Sequence, residues 1–263
     1  MTLLRPLALT ALATITLSGA AQSQASPGRA VLEKMHAAYA GKWYRTLTFV
    51  QKTTFYRPGQ PDRVQTWWES LRYTPQAGVQ LRIDSGDLTS GNGSISTTDS
   101  TWLIRNGMLA QIRPSGNEFL PWIEGVYVQP LDVTERQVRA MGVDLNKTRK
   151  AAWRGRPVTV LGASTAEDTT HSQAWIDDER QVIVRMIVAD SARPTMNVVL
   201  DDYVRAGGGW LETKVDIYID GVLRQREEYS DWAVDVPLAD ALFDPAQWQT
   251  APHWGRKPSS RVR

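Results

Sequence analysis

The chain has 263 residues, of which 22% are charged, a formal net charge of +2 and no cysteine. A near-neutral body with no basic patch excludes the electrostatics of a nucleic-acid binder. Without cysteine no disulfide can stand in for a hydrophobic core, so burial alone must hold the fold.

Residues 1–25, MTLLRPLALTALATITLSGAAQSQA, set one cation (Arg5) before an apolar run from Pro6 to Leu17 and end in Ser23-Gln24-Ala25. This reads as a secretory leader cleaved near Ala25. The apolar run falls well short of the ~20 residues a spanning helix needs, so no transmembrane segment is expected. Loss of Arg5 lowers the formal charge from +2 to +1. No cysteine stands at the cleavage point to carry a lipid, so a soluble exported protein is expected.

Ser26 as N-cap, Pro27 at the first helical position and Val31, Leu32, Met35, Ala38 and Tyr39 at helical spacing predict an opening helix that stops at Gly41. Strands follow at 43–57, 63–73, 79–83, 101–106 and 108–114, with a loose Gly/Ser/Thr loop over 86–99 and a tight turn at Asn106-Gly107. The middle breaks this pattern. Residues 118–128, EFLPWIEGVYV, are apolar but interrupted by Pro121 and Gly125, and 131–141 is a helix with Thr134 and Gln137 as a capping box and Gly142 as its stop. Strands resume at 158–162, 172–176, 182–189 and 197–205, and a hairpin occupies 210–230. About eleven strands joined by short turns imply an antiparallel meander. The expected organisation is a leader at 1–25, a single domain at 26–250 and a basic flexible tail at 251–263.

The last hairpin poses a problem. Leu211, Val215, Ile217 and Ile219 share one face, and Asp220-Gly221 marks the turn. A two-residue loop would set Arg224 and Arg226 against that apolar row; a three-residue loop would set Gln225 and Glu227 there. Either register lines an apolar face with polar groups.

No catalytic motif is legible. His36, His171 and His253 lie far apart and lack metal-ligand spacing. Asp168, His171 and Ser172 are adjacent in sequence, whereas a relay needs convergence in space. GNGSIS (91–96) has neither a nucleophile elbow's context nor a phosphate loop's Lys-Ser/Thr pair. No catalytic residue, metal or cofactor is expected. The eleven tryptophans suit core packing, and those on an inner face suit an apolar ligand lining.

Three segments resemble the LolA/LolB-like superfamily of periplasmic lipoprotein-sorting proteins. TDSTWLIRNGMLAQIRP (98–114) is similar to its central hairpin, with Asp99, Trp102 and Pro114 in corresponding places. QAWIDDERQVIVRMIV (173–188) resembles the next hairpin, and DVPLADALFDP (235–245) its C-terminal signature, here with Phe243 and Pro245. The order of elements matches over about 26–250. Two departures stand out: the carrier's Arg-Pro pair is replaced by Thr74-Pro75 with Arg72 two residues earlier, and residues 121–150 have no counterpart.

The resemblance implies a mainly antiparallel β fold with helices (α+β), an unclosed half-barrel of about eleven strands whose concave face the helices cover. It also implies a periplasmic, non-enzymatic protein that sequesters the acyl chains of a lipid or lipoprotein. On this reading Trp68, Ile83, Trp102, Ile104, Trp122 and Ile217 line the cavity, and Arg72, Arg224 and Arg226 stand at its mouth, with heads in water and stems on apolar surface. The alternative for those charges is an edge strand protected against pairing. Two alternatives for the whole protein also stand: an envelope sensor or scaffold that binds a protein partner, and a hydrolase built around His171 and Asp168.

Overall fold

The computed structural model describes residues 25–190 and 193–256; residues 1–24 of the expected leader and 257–263 of the expected tail lie outside the described residues. The opening helix α1 spans Pro27–Tyr39, with the Ser26 hydroxyl accepting from the Arg29 amide at 3.3 Å. Leu32 and Met35 are fully buried, one turn apart on the same stripe. Gly41, at φ +69°, turns the chain out of the helix in a conformation that favours glycine.

Fifteen strands follow: β1 (Thr46–Phe55), β2 (Arg63–Thr74), β3 (Gly78–Ser85), β4 (Gly93–Ser96), β5 (Thr101–Arg105), β6 (Met108–Arg113), β7 (Thr148–Trp153), β8 (Arg156–Leu161), β9 (Gln173–Asp177), β10 (Ile183–Asp190), β11 (Arg193–Asp201), β12 (Val204–Ala206), β13 (Gly209–Leu211), β14 (Lys214–Ile219) and β15 (Val222–Val234). Thirteen form one antiparallel sheet in the order β6-β5-β4-β3-β2-β1-β15-β14-β11-β10-β9-β8-β7, open between β6 and β7. The expected unclosed half-barrel with helices is therefore present. The chain meanders out from β1 to one edge, crosses through its helices to the other, and returns until β15 pairs with β1. The extra strands come from residues that sequence periodicity treats as loop or as continuous strand. Four residues of the Gly/Ser loop pair as β4. Asp202, at φ +53°, breaks the run after β11 so that β12 and β13 form a separate ribbon.

The interrupted segment is a π-helical turn, Pro121–Gly125, running into the short α2 (Val126–Val128). Helix α3 (Leu131–Ala140) starts one turn before the expected capping box. Thr134 is buried inside it, and its hydroxyl, together with the Gln137 amide oxygen, accepts from Gln129 Nε2 at 2.9 and 2.6 Å. The pair therefore anchors the connection into the helix instead of opening it. Gly142, at φ +81°, ends α3 as expected. These helices cover one face of the sheet, where Trp43 stacks on Tyr127 at 3.7 Å and meets Tyr39 edge-on at 5.0 Å. No helix among the described residues is long and apolar enough to cross a membrane.

The opposite, back face is covered by the C-terminal segment, with 3-10 turns at Asp240–Phe243 and Pro245–Gln247. The expected flexible tail therefore begins too early. Ala251 and His253 are buried, and the Trp254 indole donates to the Ser70 hydroxyl at 2.8 Å. The physical reason lies beneath them: β3 presents Arg82 and Asp84 on this face, and a buried ion pair needs a cover.

Candidate functional site

Between the helix-covered face and the segment 117–124 lies a cavity of about 190 Å³. Its walls come from the inward rows of seven strands: Leu47 and Phe49 of β1, Leu71 of β2, Leu81 and Ile83 of β3, Leu200 of β11, Leu211 of β13, Val215 and Ile217 of β14, and Tyr229 of β15. Phe119 and Ile123 close it from the helical side. Strand period places these residues: Leu71 pairs with Leu81, and Glu69 with Ile83, so alternate residues of β2 and β3 face the cavity together.

Four glutamates share this apolar lining: Glu69 on β2, Glu124 in the π turn, Glu212 between β13 and β14, and Glu227 on β15. Glu69, Glu124 and Glu212 are buried. Burial pushes the Glu69 carboxyl well above the usual carboxylate range, and the charges of Glu227 and Glu212 push it further. Burial likewise raises Glu212 to about 8, against its own backbone amide and with help from Glu227. Burial raises Glu124 well above the usual range although Trp43 donates to its Oε2 at 2.8 Å; its Oε1 is buried without a partner among the described residues. Burial also raises Glu227, opposed by hydrogen bonds from Tyr229 (2.8 Å) and Gln225 (2.6 Å). No Lys, Arg or His stands in the lining.

The hairpin problem is resolved by a bulge. Asp220 and Gly221 form a two-residue turn, both with positive φ (49° and 78°), and Ile219 pairs with Val222. The register then shifts between Ile217 and Tyr218, leaving Arg224 as the extra residue, so Gln225 pairs with Ile217 and Glu227 with Val215. The short turn thus delivers the side chains of the long one. β15 lies inside the sheet between β1 and β14, so the edge-strand explanation for its charges does not apply.

Of the residues expected to line a cavity, Ile83 and Ile217 stand in its wall. Trp122 is fully buried in the core beside it and is not part of the wall. Trp68 lies on the back face against Trp254, ring centroids 5.5 Å apart; its neighbour Trp67 takes the cavity side, because adjacent strand residues point to opposite faces. Trp102 and Ile104 pack with Ile95 and Trp248, also away from the cavity. The three arginines expected at the mouth are elsewhere too. Arg72 lies over the Phe243 ring at 4.2 Å, donates to Gln80 at 2.9 Å and pairs with Asp240 in the C-terminal cover. Arg226 makes a two-pronged pair with Asp216 at 2.6 and 2.9 Å, on the face opposite Glu227. Arg224 is the bulge residue, and its carbonyl accepts from the Tyr56 amide at 2.9 Å. Sequence reasoning passed over Glu69, Glu124 and Glu212 and reached Glu227 only as one of two outcomes of the hairpin register. Two had a signal: Trp67, Glu69 and Leu71 alternate with Thr66, Trp68 and Ser70, and Glu227 sits in the row of Gln225 and Tyr229.

His171 Nδ1 lies 2.9 Å from the Asp168 carboxylate at an exposed turn, and the Ser172 hydroxyl donates to the Ala189 carbonyl at 3.3 Å. The three do not form a relay. Among the described residues no group of three or more His, Asp or Glu is placed to hold a metal ion.

No family model matches the sequence, and no curated protein matches it. Solved structures share the fold. A DUF1329 family protein from Desulfovibrio piger superposes with a TM-score of 0.56 at 14% identity, covering 84% of this chain and 98% of that one. A putative outer membrane lipoprotein-sorting protein domain from Vibrio parahaemolyticus gives 0.56 at 10% identity over the same shares, and a LolA superfamily protein from Nitrosomonas europaea 0.51 at 9%, again over the same shares. The chain thus shares the unclosed, helix-covered sheet of these structures.

Proposed function

We propose that this chain is an exported, periplasmic binding protein that shelters an acyl or alkyl chain in the cavity between its sheet and the segment 117–124, with no catalytic step. The observation that carries the reading is the cavity wall: leucine, isoleucine, valine and phenylalanine from six strands converge on one space beneath Phe119 and Ile123. Each methylene withdrawn from water into such a space contributes about 0.8 kcal/mol. The likeness in fold to a lipoprotein-sorting domain supports the same reading.

At about 190 Å³ the cavity is smaller than the ~300–1,000 Å³ of a typical ligand pocket. Loading therefore requires Phe119 and Ile123 to swing outward. The π turn at Pro121–Gly125 is the element suited to that motion, since Pro121 withholds a backbone donor and π turns interrupt regular helix hydrogen bonding.

The test is native mass spectrometry of protein purified from periplasm without detergent, together with titration of a fluorescent acyl probe. Bound mass that extracts as lipid, or saturable probe uptake abolished by Ile217→Trp, is the expected result. A bare protein that takes up no probe overturns the reading. One observation favours envelope sensing instead: edge strand β6 exposes Met108, Leu109 and Ile112, a surface suited to a protein partner.

A further inference from the structure

The acyl-chain reading explains the greasy wall and leaves the glutamates unexplained. Apolar residues of similar volume in their places would usually be neutral or stabilising, because a carboxyl moved from water into an apolar interior loses solvation. Four such groups from four separate elements around one space, with no cation in its wall, is an arrangement that packing alone disfavours. Two features turn this from a collection of acids into a receptor. The Glu124 Oε1 is buried and has no partner among the described residues. The Glu69 carboxyl, also buried, is raised by burial and by other carboxylates, with no hydrogen bond to offset them.

We propose that the cavity's occupant is a cationic amphiphile, a single aliphatic chain ending in an ammonium group, whose charge is held among Glu69, Glu124, Glu212 and Glu227 while its chain lies along the leucine and isoleucine wall. This deepens the binding reading and rests on it. The chemistry of the wall selects the class. A fatty-acid carboxylate would add one more acid to a lining that already disfavours the ionised form, and with no Lys, Arg or His among the lining residues nothing would neutralise it or a lipid phosphate. A metal ion is disfavoured because the carboxyls do not converge on one point. An organic ammonium needs only acceptors distributed around it.

Burial shifts all four carboxyls toward the protonated form, and Glu212, raised to about 8, holds its proton at neutral pH. The groups facing them are Tyr44 and Gln51 from β1 and its approach, Tyr229 and Gln225 from β15, Trp67 from β2, and Asn117 and Trp43 on the helical side. An arriving ammonium favours the ionised form, so a carboxyl loses its proton to the buffer as the ion pair forms. Cation binding is then coupled to proton release, whereas binding of a neutral chain is not.

The experiment is calorimetric titration of the full exported protein at pH 7 with dodecylamine, dodecanol and dodecanoate, each below its micelle-forming concentration and in two buffers of different ionisation enthalpy. The amine is expected to bind at least tenfold tighter than the alcohol and the carboxylate, with a heat that changes with buffer in the sense of proton release. Glu69→Gln and Glu227→Gln are each expected to weaken the amine at least tenfold and the alcohol by a smaller factor, so that the preference for the amine narrows. Dodecanol or dodecanoate binding as tightly as the amine, or a buffer-independent amine heat, overturns the cationic assignment and leaves the acyl-chain reading standing. If none of the three binds, both fall. The proton-release arm uses the unaltered chain, so the test does not depend on the variants folding.

Discussion

The two faces of the sheet both bury charge, and they treat it in opposite ways. On the back face Arg82 and Asp84 form a pair at 2.6 and 2.8 Å. Arg82 also donates to the carbonyls of Leu242 and Trp248 and lies over the Trp248 ring at 3.7 Å. Burial alone would raise the Asp84 carboxyl, but the hydrogen bonds from Arg82 and His253 outweigh it and hold it below the usual carboxylate range. On the helix-covered face Glu69, Glu124, Glu212 and Glu227 have no cation among them, and burial drives all four up. Buried charge that is matched fastens the C-terminal segment to the sheet. Buried acid that is unmatched leaves a demand that something from outside the chain can meet.

The sharpest way to break the contrast is to unbalance the matched side. Arg82→Leu leaves Asp84 buried with only His253 beside it, and should cost about 3–5 kcal/mol in urea unfolding. The double change Arg82→Met with Asp84→Leu should recover much of that loss. An Arg82→Leu protein as stable as the parent would show that the back-face pair does not fasten the cover.

The unmatched side should show itself through pH. Each cavity carboxyl has a folded pKa above its unfolded one. Between the ordinary glutamate range and about 8, the unfolded chain therefore binds fewer protons than the folded one, and stability must fall as pH rises. From pH 5 to pH 8 a loss on the order of 2 kcal/mol is expected, flattened by Glu212→Gln, with thermal unfolding as the readout. A curve that rises over this window would contradict the assignment. Filling the cavity tests the same face with a smaller effect: Ile217→Trp should lower stability by about 1–3 kcal/mol and abolish probe uptake. The smallest effect belongs to Arg226→Ala. Its partnership with Asp216 lies on the partly exposed opposite face, so a loss of about 1 kcal/mol and unchanged ligand binding are expected.

The two faces also differ in how legible they were. Trp67 and Trp68 are neighbours, and period two guarantees that they face opposite ways, but nothing local says which faces in. That choice follows from the pairing of β2 with β1 and β3, where Glu69 lies opposite Phe49 and Ile83. Trp102, Ile104 and Arg72 were drawn to the wrong side for the same reason. The apolar character that made Trp102 and Ile104 candidates belongs equally to a back face covered by Trp248, and Arg72 lies on that face over the Phe243 ring.

By itself the sequence determined what depends on a few adjacent residues. Ser26 caps the first helix, Asn106-Gly107 and Asp220-Gly221 close two-residue turns, and alternation builds strands whose short connections impose an antiparallel meander. The tertiary structure alone decided what depends on register and on distant segments meeting. A single bulge at Arg224 exchanged an arginine row for a glutamate row, Arg82 and Asp84 held residues 238–256 on the back face, and four remote glutamates were brought around one space. The physical reason is that a strand's side-chain period is two. A shift of one residue reverses every facing, and the energies that choose between the two registers lie in contacts the local sequence does not contain.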